Sequence, residues 1–419
     1  MPTNQLTTEI KTKIAEQKTA VPTKPSERII ALDALRGFAI LGILVMNIQS
    51  FSMVVAAYQN PLAYGNFTGL NRWVWMFSHI FFDLKFMAMF SMMFGAGIIL
   101  ITTSAEKKGV SPAKLHYKRN FWLLLFGLAH AYLFWSGDIL TTYAICGFIV
   151  YVFRKLSPKW LTLIGVILFA IPSAALLLGQ MSVDYIPVEQ LNEMSLSWQP
   201  TAEMVADEIA VFQGGWLEQM ALRIPHSLKM QTYALILFSG WRVCGLMLIG
   251  MALFKWGVLT AKRSLRFYTI MMLVGFLLGF PLVVVGVKQN FVHDWEFLYG
   301  LWVGSQFNYW GSLLVSFGYI GMVMLIAKAG WIPGVVKWFA SVGRMALTNY
   351  FLQTIICTTI FYGHGLGLFG QVERTGQLLL VFAVWVVQLI ISPVWLKRYR
   401  FGPFEWLWRS LTYWQKQPM

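Results

Sequence analysis

The sequence predicts an all-α membrane protein, a polytopic bundle of about ten transmembrane helices with both termini in the cytoplasm. Of the 419 residues, 57% are hydrophobic and only 12% are charged, whereas soluble domains carry about 25% charged residues. Apolar runs near ~20 residues, the length that crosses a hydrocarbon core of roughly 30 Å, recur along the chain. The 19 Trp and 16 Tyr residues suit the two membrane interfaces.

The apolar runs define the expected organisation of the chain. We expect a disordered cytoplasmic tail at 1–28, a five-helix half at 29–181, an extracytoplasmic loop at 182–231, a second five-helix half at 232–396 and a cytoplasmic interfacial tail at 397–419. Within the loop, the pattern from Thr201 to Phe212 predicts an amphipathic helix. The expected spans are 30–54, 77–101, 120–136, 139–153, 160–181, 232–254, 267–287, 298–327, 338–361 and 377–396.

The basic residues set the expected orientation. Most of the 33 Lys and Arg residues lie in the two terminal tails and in alternate loops, which share one side if there are ten spans. The opposite loops hold only Arg72, Arg223, Lys229, Lys288 and Arg374. Because cytoplasmic loops are rich in Lys and Arg, both termini are placed in the cytoplasm. The bases form no continuous stripe, so the net charge of +15 does not indicate a nucleic-acid partner.

Ionisable side chains inside the expected spans are candidate functional groups, because a charge in the membrane interior is costly and usually faces a protein-lined cavity. Three basic residues meet this condition: Arg36, Lys85 and Arg242. Asp33 precedes Arg36 by three residues and Asp83 is close to Lys85, so each base either lines a polar cavity or pairs with an acid to fix helix packing.

His130 is the strongest candidate for a catalytic residue. It lies eleven positions after Arg119, which places it about 16 Å deeper on the same helix face. Asp138 follows at the outer end of this helix, where it can orient the ring. An imidazole there can accept and return a proton near neutral pH, although a packing histidine explains the pattern too. His79 and Asp83, one turn apart, form a weaker second pair.

Several amides and the closing stretch add to the candidate set. Asn47 follows Arg36 by eleven positions and shares its face. A polar edge on an otherwise apolar helix is formed by Arg344, Asn349, Tyr350 and Gln353. Such amides bind a ligand or join helices by hydrogen bonds. Glu405 and Arg409 are spaced i, i+4 in a stretch that predicts an interfacial amphipathic helix.

Several stretches make the chain resemble the YeiB family of bacterial membrane proteins, whose C-terminal half is a domain of unknown function, DUF418. The matching stretches are ALDALRGFAILGILVMN at 31–47, KFMAMFSMMFGAG at 85–97, HAYLFWSGDILTTY at 130–143, GLMLIGMAL at 245–253, GRMALTNYFLQTIICTTIFY at 343–362 and FGPFEWLWRSLTY at 401–413. They span nearly the whole chain.

The first stretch also looks like the opening helix of a wider group of transmembrane acyltransferases. This group includes the lysosomal heparan-α-glucosaminide N-acetyltransferases and the acyltransferase-3 proteins, which transfer an acyl group from cytoplasmic acyl-CoA. Arg36 matches the arginine of the acyltransferase-3 pattern, and Asn47 stands at the position of its catalytic histidine. The heparan enzymes similarly carry Asn there. Because Asn47 occupies the histidine position, acyl transfer by this chain requires His130 or His79 to take the role of that histidine.

Two functions stay open at this point. The first is acyl transfer, in which acyl-CoA, such as acetyl-CoA, binds at the basic inner face through Arg36, Lys85 or Arg119, and His130 with Asp138 activates a small-molecule or glycan acceptor. The second is transport, in which the same buried residues bind ions or substrate. We expect no metal, no nucleic acid, a location in the bacterial plasma (inner) membrane and contact with the lipid bilayer. The composition permits a homodimer. The remaining candidate binding residues are Asp33, Asn47, Arg242, Asn349 and Gln353.

Overall fold

The computed structural model describes residues 28–419, and every regular element in that range is helical. The expected disordered tail therefore lies outside the described residues, except for Arg28. The helices are α1 Ile30–Ser52, α2 Ala56–Gln59, α3 Gly69–Phe81, α4 Lys85–Lys107, α5 Pro112–Leu133, α6 Leu140–Val150, α7 Pro158–Met181, α8 Val188–Trp198, α9 Ala202–Gln213, α10 Met220–Lys229, α11 Gly240–Lys255, α12 Leu265–Val292, α13 Ser305–Ala329, α14 Pro333–Arg344, α15 Ala346–Phe361, α16 Arg374–Arg398 and α17 Pro403–Tyr413. Short 3₁₀ turns at Tyr151–Lys155 and Val183–Tyr185 and π-helical stretches at Met230–Ser239 and Tyr299–Gly304 complete the set.

The described residues contain seven helical segments long and apolar enough to cross a membrane, which confirms the polytopic all-α class. These are Ile30–Ser52, Gly69–Lys107, Pro158–Met181, Met220–Lys255, Leu265–Val292, Tyr299–Ala329 and Arg374–Arg398. The other three expected spans coincide with helices that are shorter or more polar, namely α5, α6 and α15. The count of ten and the orientation therefore stay predictions.

Helix α1 lies in the interior of the bundle and packs backbone to backbone against α14. It is apolar around most of its circumference, as expected of a helix enclosed by others. A methyl group on Gly37 would overlap the carbonyl of Phe339, and one on Gly343 would overlap the carbonyl of Asp33. These two glycines therefore allow the helices to touch, and they bring Arg36 of α1 to the same end of the bundle as Arg344 of α14.

The segment Gly69–Lys107 is broken between α3 and α4. Leu84 has a φ of 63°, a left-handed conformation that is strained for a residue with a branched side chain. The break ends the ladder of α3 at Phe82 and starts α4 at Lys85. It leaves several backbone carbonyls without helical partners in the interior of the bundle, where each needs another donor.

The expected loop at 182–231 is folded as three helices that pack over one end of the bundle. The predicted amphipathic helix is present as α9, and the Thr201 hydroxyl caps it by accepting from the Met204 N–H. Glu208 of α9 accepts a hydrogen bond of 2.9 Å from the Val55 N–H, just past α1. Burial raises the pKa of Glu208, and the bond from Val55 opposes that rise. The loop is thus a cover with specific polar contacts to the bundle.

The C-terminal helix α17 packs at the opposite end, and its glutamate differs from expectation. Glu405 is buried, and its carboxylate accepts hydrogen bonds from the N–H groups of Leu347 and Thr348 and from the Thr348 hydroxyl, at 2.6, 3.1 and 2.6 Å. It therefore caps the N-terminus of α15, where carboxylates are favourable. Among the described residues it forms no ion pair with Arg409. Its role is to fasten α17 to the bundle.

Candidate functional site

A cavity of about 280 Å³ opens at the end of the bundle that carries α17. Its walls come from the first half of α1, from α4, α5 and α6, from the junction between α14 and α15, and from α17. Along α1 the lining runs from Leu32 to Ile43, about 16 Å at 1.5 Å per residue. If the basic loops are cytoplasmic, this cavity opens to the cytoplasm.

Five arginines surround the mouth of this cavity. We call it the arginine cavity. They are Arg28, Arg36, Arg119, Arg344 and Arg409. Of these five arginines, only Arg36 has an ion-pair partner within residues 28–419, the Asp33 carboxylate at 2.7 Å. The other acid in the lining, Glu405, is occupied as the cap of α15. The mouth therefore carries several positive charges that the described part of the chain does not neutralise.

Aromatic rings and backbone carbonyls hold these arginines in place. The Arg119 guanidinium lies over the Trp408 ring at 4.2 Å, and the Trp408 indole N–H donates to the Arg119 carbonyl. Arg409 lies over Phe401 at 4.6 Å, and Arg344 donates to the Arg400 carbonyl. Stacking of this kind orients a guanidinium while leaving its edge free for an anion.

Burial makes the ligand-free mouth electrostatically unfavourable. Loss of hydration lowers the pKa of Arg28 and Arg409, and the neighbouring arginines lower both further. Asp33 opposes the shift at Arg28, and Tyr413 and Glu405 oppose it at Arg409. A bound anion would favour the charged guanidiniums, because opposite charges stabilise each other more strongly where water is excluded.

The closed end of the cavity is apolar apart from two tyrosines. Its side chains include Ile40, Leu123 and Leu140, together with Tyr143 and Tyr350. The cavity is thus amphipathic, with a cationic mouth and an apolar end. Such a shape suits a ligand that joins phosphate groups to a short apolar chain.

His130 and Asp138 form a buried dyad next to this closed end. The Nδ1 atom of His130 lies 2.9 Å from Asp138 Oδ1, and Asp138 Oδ2 accepts from the Thr141 N–H at 2.8 Å. The Nε2 atom lies 2.9 Å from the Thr354 hydroxyl, whose oxygen is 3.3 Å from the Tyr350 carbonyl. Because an aspartate accepts at Nδ1, this nitrogen carries the proton, and Nε2, which accepts from Thr354 in this state, can act as a base once that hydrogen bond is exchanged for one to a substrate.

The dyad does not line the arginine cavity. Tyr350 lines the cavity, and its ring lies 4.9 Å from the ring of His130, which also packs against Phe351 at 5.0 Å. His130 is fully buried. Its helix runs from Pro112 to Leu133 and begins seven residues before Arg119. His130 therefore lies in the last turn of this helix.

Lys85 and Arg242 belong to a second polar cluster, at the break between α3 and α4. The ammonium of Lys85 donates to the His79 carbonyl at 2.7 Å and to Asn308 Oδ1 at 2.6 Å. Arg242 donates to the Leu84 carbonyl at 3.4 Å. Lys85 thus bonds a carbonyl that the break leaves without a helical donor, and Arg242 adds a bond to the Leu84 carbonyl, which also accepts from the Ala88 N–H at 3.1 Å. Both contacts are structural.

Acids and hydroxyls complete this second cluster. Asp83 accepts from the Asn308 amide at 2.7 Å and from the Tyr58 hydroxyl at 3.1 Å, and it lies 3.2 Å from His79 Nδ1. His79 and Asp83 therefore form the expected pair. None of these residues lines the arginine cavity, so the structure does not bring Lys85 and Arg242 together with Arg36 and Arg119.

The amides join helices. Asn349 donates to the Val342 carbonyl and to the Ser392 hydroxyl, and Gln353 donates to the Ile40 carbonyl and to Gln388. These contacts tie α15 to α1, α14 and α16. Asn47 is half-buried and lies outside the lining of the arginine cavity.

Comparison with known proteins gives a family. Over 92% of this chain and 96% of the relative, the sequence is 35% identical to the uncharacterized protein YeiB of Escherichia coli (strain K12). This chain belongs to the YeiB family. It is also 34% identical to the uncharacterized protein YxaH of Bacillus subtilis (strain 168), over 95% of this chain and 97% of that protein. Residues 253–415 match the family model described as "Protein of unknown function (DUF418)".

The YeiB-family sequence alone did not reveal several residues of this site. Arg28, Arg344 and Arg409 lie near the expected membrane boundary, where arginine is ordinary and marks orientation; the sequence placed Arg344 only in a polar edge and Arg409 only in an amphipathic helix. Tyr350 was predicted to belong to the same polar edge, whereas Thr354, one turn farther along α15, was not predicted. The available signal was the density of arginines at the inner ends of non-adjacent helices, and it becomes specific only when the helices are assembled.

Proposed function

We propose that this chain is an integral-membrane acyltransferase that binds acyl-CoA in the arginine cavity and transfers its acyl group to an acceptor at or across the membrane. The observation that carries the proposal is the set of unneutralised arginines around an amphipathic cavity whose closed end abuts a His–Asp dyad. Acyl-CoA combines a 3′-phosphate and a diphosphate with a long arm that ends in a thioester. Guanidinium groups bind phosphates through paired hydrogen bonds.

In the proposed reaction, an acceptor hydroxyl or amine attacks the carbonyl carbon of the thioester. His130 Nε2 takes the acceptor's proton, the carbon–sulfur bond breaks, and the imidazolium returns the proton to the departing CoA thiolate. Asp138 holds the ring through Nδ1–H and stabilises the imidazolium. Arg36, Arg119 and Arg409 hold the donor. Asp33 orients Arg36 through their ion pair.

The described state is closed to the acceptor. Trp216 and Arg223 of the cover each donate to the Leu133 carbonyl, at the end of the helix that carries His130. Ser227 donates to the Ala131 carbonyl in the same turn. An acceptor that arrives from this side must first displace the cover. The acidic cover and the opposite cationic cavity thus separate an acceptor side from a donor side.

The remaining properties follow from this proposal. The acceptor that we propose is a small molecule or a glycan. The protein works in the bacterial plasma membrane, in contact with lipid, and requires neither metal nor nucleic acid. A homodimer is compatible with it, since the reactive groups come from one chain.

The decisive test uses the full chain in lipid nanodiscs with radiolabelled acetyl-CoA. We expect saturable binding and slow release of CoA thiol, faster with an acceptor extract, and a loss of thiol release of about 10²-fold or more in His130→Gln. His116→Gln is the matched control, because His116 lies on the same helix, is buried, and bonds the Gly147 carbonyl away from the cavity. Absence of acetyl-CoA binding in the native chain would refute the proposal.

A transporter is the second candidate, and the broken segment Gly69–Lys107 favours it. Interrupted helices with buried charged groups are common at the ion and substrate sites of transporters. Here Asp83, Lys85 and His79 surround the break at Leu84. Substrate-driven flux into proteoliposomes, lost in Asp83→Asn and independent of CoA, would support transport in place of acyl transfer.

A further inference from the structure

Tyr350 carries a buried hydroxyl that no group in residues 28–419 bonds with ordinary geometry. The residue is only 4% exposed and lies in the wall of the arginine cavity. Buried hydroxyls are nearly always hydrogen-bonded, because an unpaired one loses its hydration without compensation. The hydroxyl of Tyr350 is therefore available to donate a hydrogen bond to a ligand that enters the cavity.

The backbone N–H of Ile139 lies near the oxygen of this hydroxyl, but the side chains of the neighbouring wall offer no acceptor for its hydrogen. Ile40, Leu123 and Leu140 have hydrocarbon side chains. The hydroxyl of the other tyrosine, Tyr143, already donates to the Met87 carbonyl at 3.3 Å and accepts from the Ser91 hydroxyl at 3.1 Å. Tyr350 is thus the polar group at this end that a ligand can engage without breaking an existing bond.

We propose that the Tyr350 hydroxyl binds the carbonyl oxygen of the acyl group, which rests on the proposed function. With the phosphates of the donor at the arginine mouth, the arm of CoA runs inward along α1 and its thioester reaches the apolar end. The thioester oxygen is the acceptor that this part of the donor brings. The ring of Tyr350 then places that carbonyl beside His130, 4.9 Å from ring to ring.

The same contact grows stronger during the reaction. As the acceptor attacks, negative charge develops on the carbonyl oxygen, and a donor already directed at that oxygen stabilises the charge. Tyr350 is then a catalytic residue, because it touches the reacting group. It also gives the enzyme a way to distinguish acyl-CoA from free CoA, which lacks the carbonyl.

Three ligands separate this role from a structural one: acetyl-CoA, free CoA and the thioether ethyl-CoA, which keeps the carbon chain and lacks the carbonyl. In Tyr350→Phe we expect about three- to tenfold weaker binding of acetyl-CoA, with CoA and ethyl-CoA unchanged within twofold. Thiol release from acetyl-CoA should fall about 10²-fold. The thermal midpoint of the ligand-free protein should not fall, because the lost hydroxyl has no partner.

Tyr319→Phe is the matched control, since its hydroxyl donates to the Phe81 carbonyl at 3.0 Å, away from the cavity. It should change none of the three affinities. An equal loss for all three ligands in Tyr350→Phe, an unchanged affinity for acetyl-CoA or a lower thermal midpoint would overturn the assignment of Tyr350 and leave the donor proposal standing. If the native chain binds none of the three ligands, the proposed function fails as well.

Discussion

Replacing Arg409 by glutamine separates ligand binding from folding. Arg409 has no ion-pair partner among the described residues, and its packing contact is the Phe401 ring at 4.6 Å. Because Arg409 is half-buried, losing that contact costs about 0.5–2 kcal/mol of stability. A charge-assisted hydrogen bond to a phosphate contributes about 1.5–3 kcal/mol to ligand binding. We therefore expect the affinity for acetyl-CoA to fall roughly 10- to 150-fold, since every 1.4 kcal/mol is tenfold.

The assay is equilibrium dialysis of labelled acetyl-CoA at several salt concentrations, beside a thermal unfolding scan. Arg154→Gln is the control, because Arg154 stacks on Tyr151 at 4.3 Å, bonds Glu106 and lies outside the cavity lining. It should lower stability at least as much and leave the affinity unchanged. A loss of affinity no larger in Arg409→Gln than in Arg154→Gln would show that the cavity does not bind the donor's phosphates.

Three further predictions concern the dyad, the helix break and the cap. Asp138→Asn should lower thiol release about 10²–10⁴-fold with unchanged acetyl-CoA affinity, because His130 then lacks the carboxylate that keeps its proton on Nδ1. An unchanged rate would contradict the roles assigned to His130 and Asp138. Lys85→Met should destabilise the fold by about 2–6 kcal/mol, because it leaves the His79 carbonyl and Asn308 Oδ1 buried without their donor, and size-exclusion profiles in detergent would show the loss. Burial raises the pKa of Glu405 despite the bonds from Thr348 and Leu347, so the folded state holds this proton more tightly than the unfolded state does. Its contribution to stability is then greatest below the ordinary glutamate pKa and declines as pH rises through the raised value, so a plot of thermal midpoint against pH should be flatter for Glu405→Gln.

Composition and hydropathy were enough to predict the fold class, because the membrane leaves few options for a chain with these apolar runs. The pairing of His79 with Asp83 was also predictable, since the two residues lie one helical turn apart in sequence. In the candidate site, the contact between His130 and Asp138 follows from the same local reasoning.

The convergence of helices could not be predicted in this way. Arg36 and Arg119 share a cavity, whereas Lys85 and Arg242 meet elsewhere, and nothing in the spacing of the four distinguishes the two outcomes. Lys85 and Arg242 instead meet at the break around Leu84, where Lys85 donates to the His79 carbonyl and Arg242 to the Leu84 carbonyl. A sequence pattern shows that a charge is enclosed; which carbonyl or cavity it faces depends on helices distant along the chain.

The mutual contact of Gly37 and Gly343 has a consequence for how the protein is made. The first transmembrane helix leaves the ribosome early, but the helix against which its backbone fits is completed only after 344 residues. Until then, the surface of α1 around Gly37 must contact lipid or another helix. A bulkier residue at either glycine should therefore produce a chain that inserts normally and fails late, with its N-terminal helix accessible to cross-linking by insertase components long after translation ends.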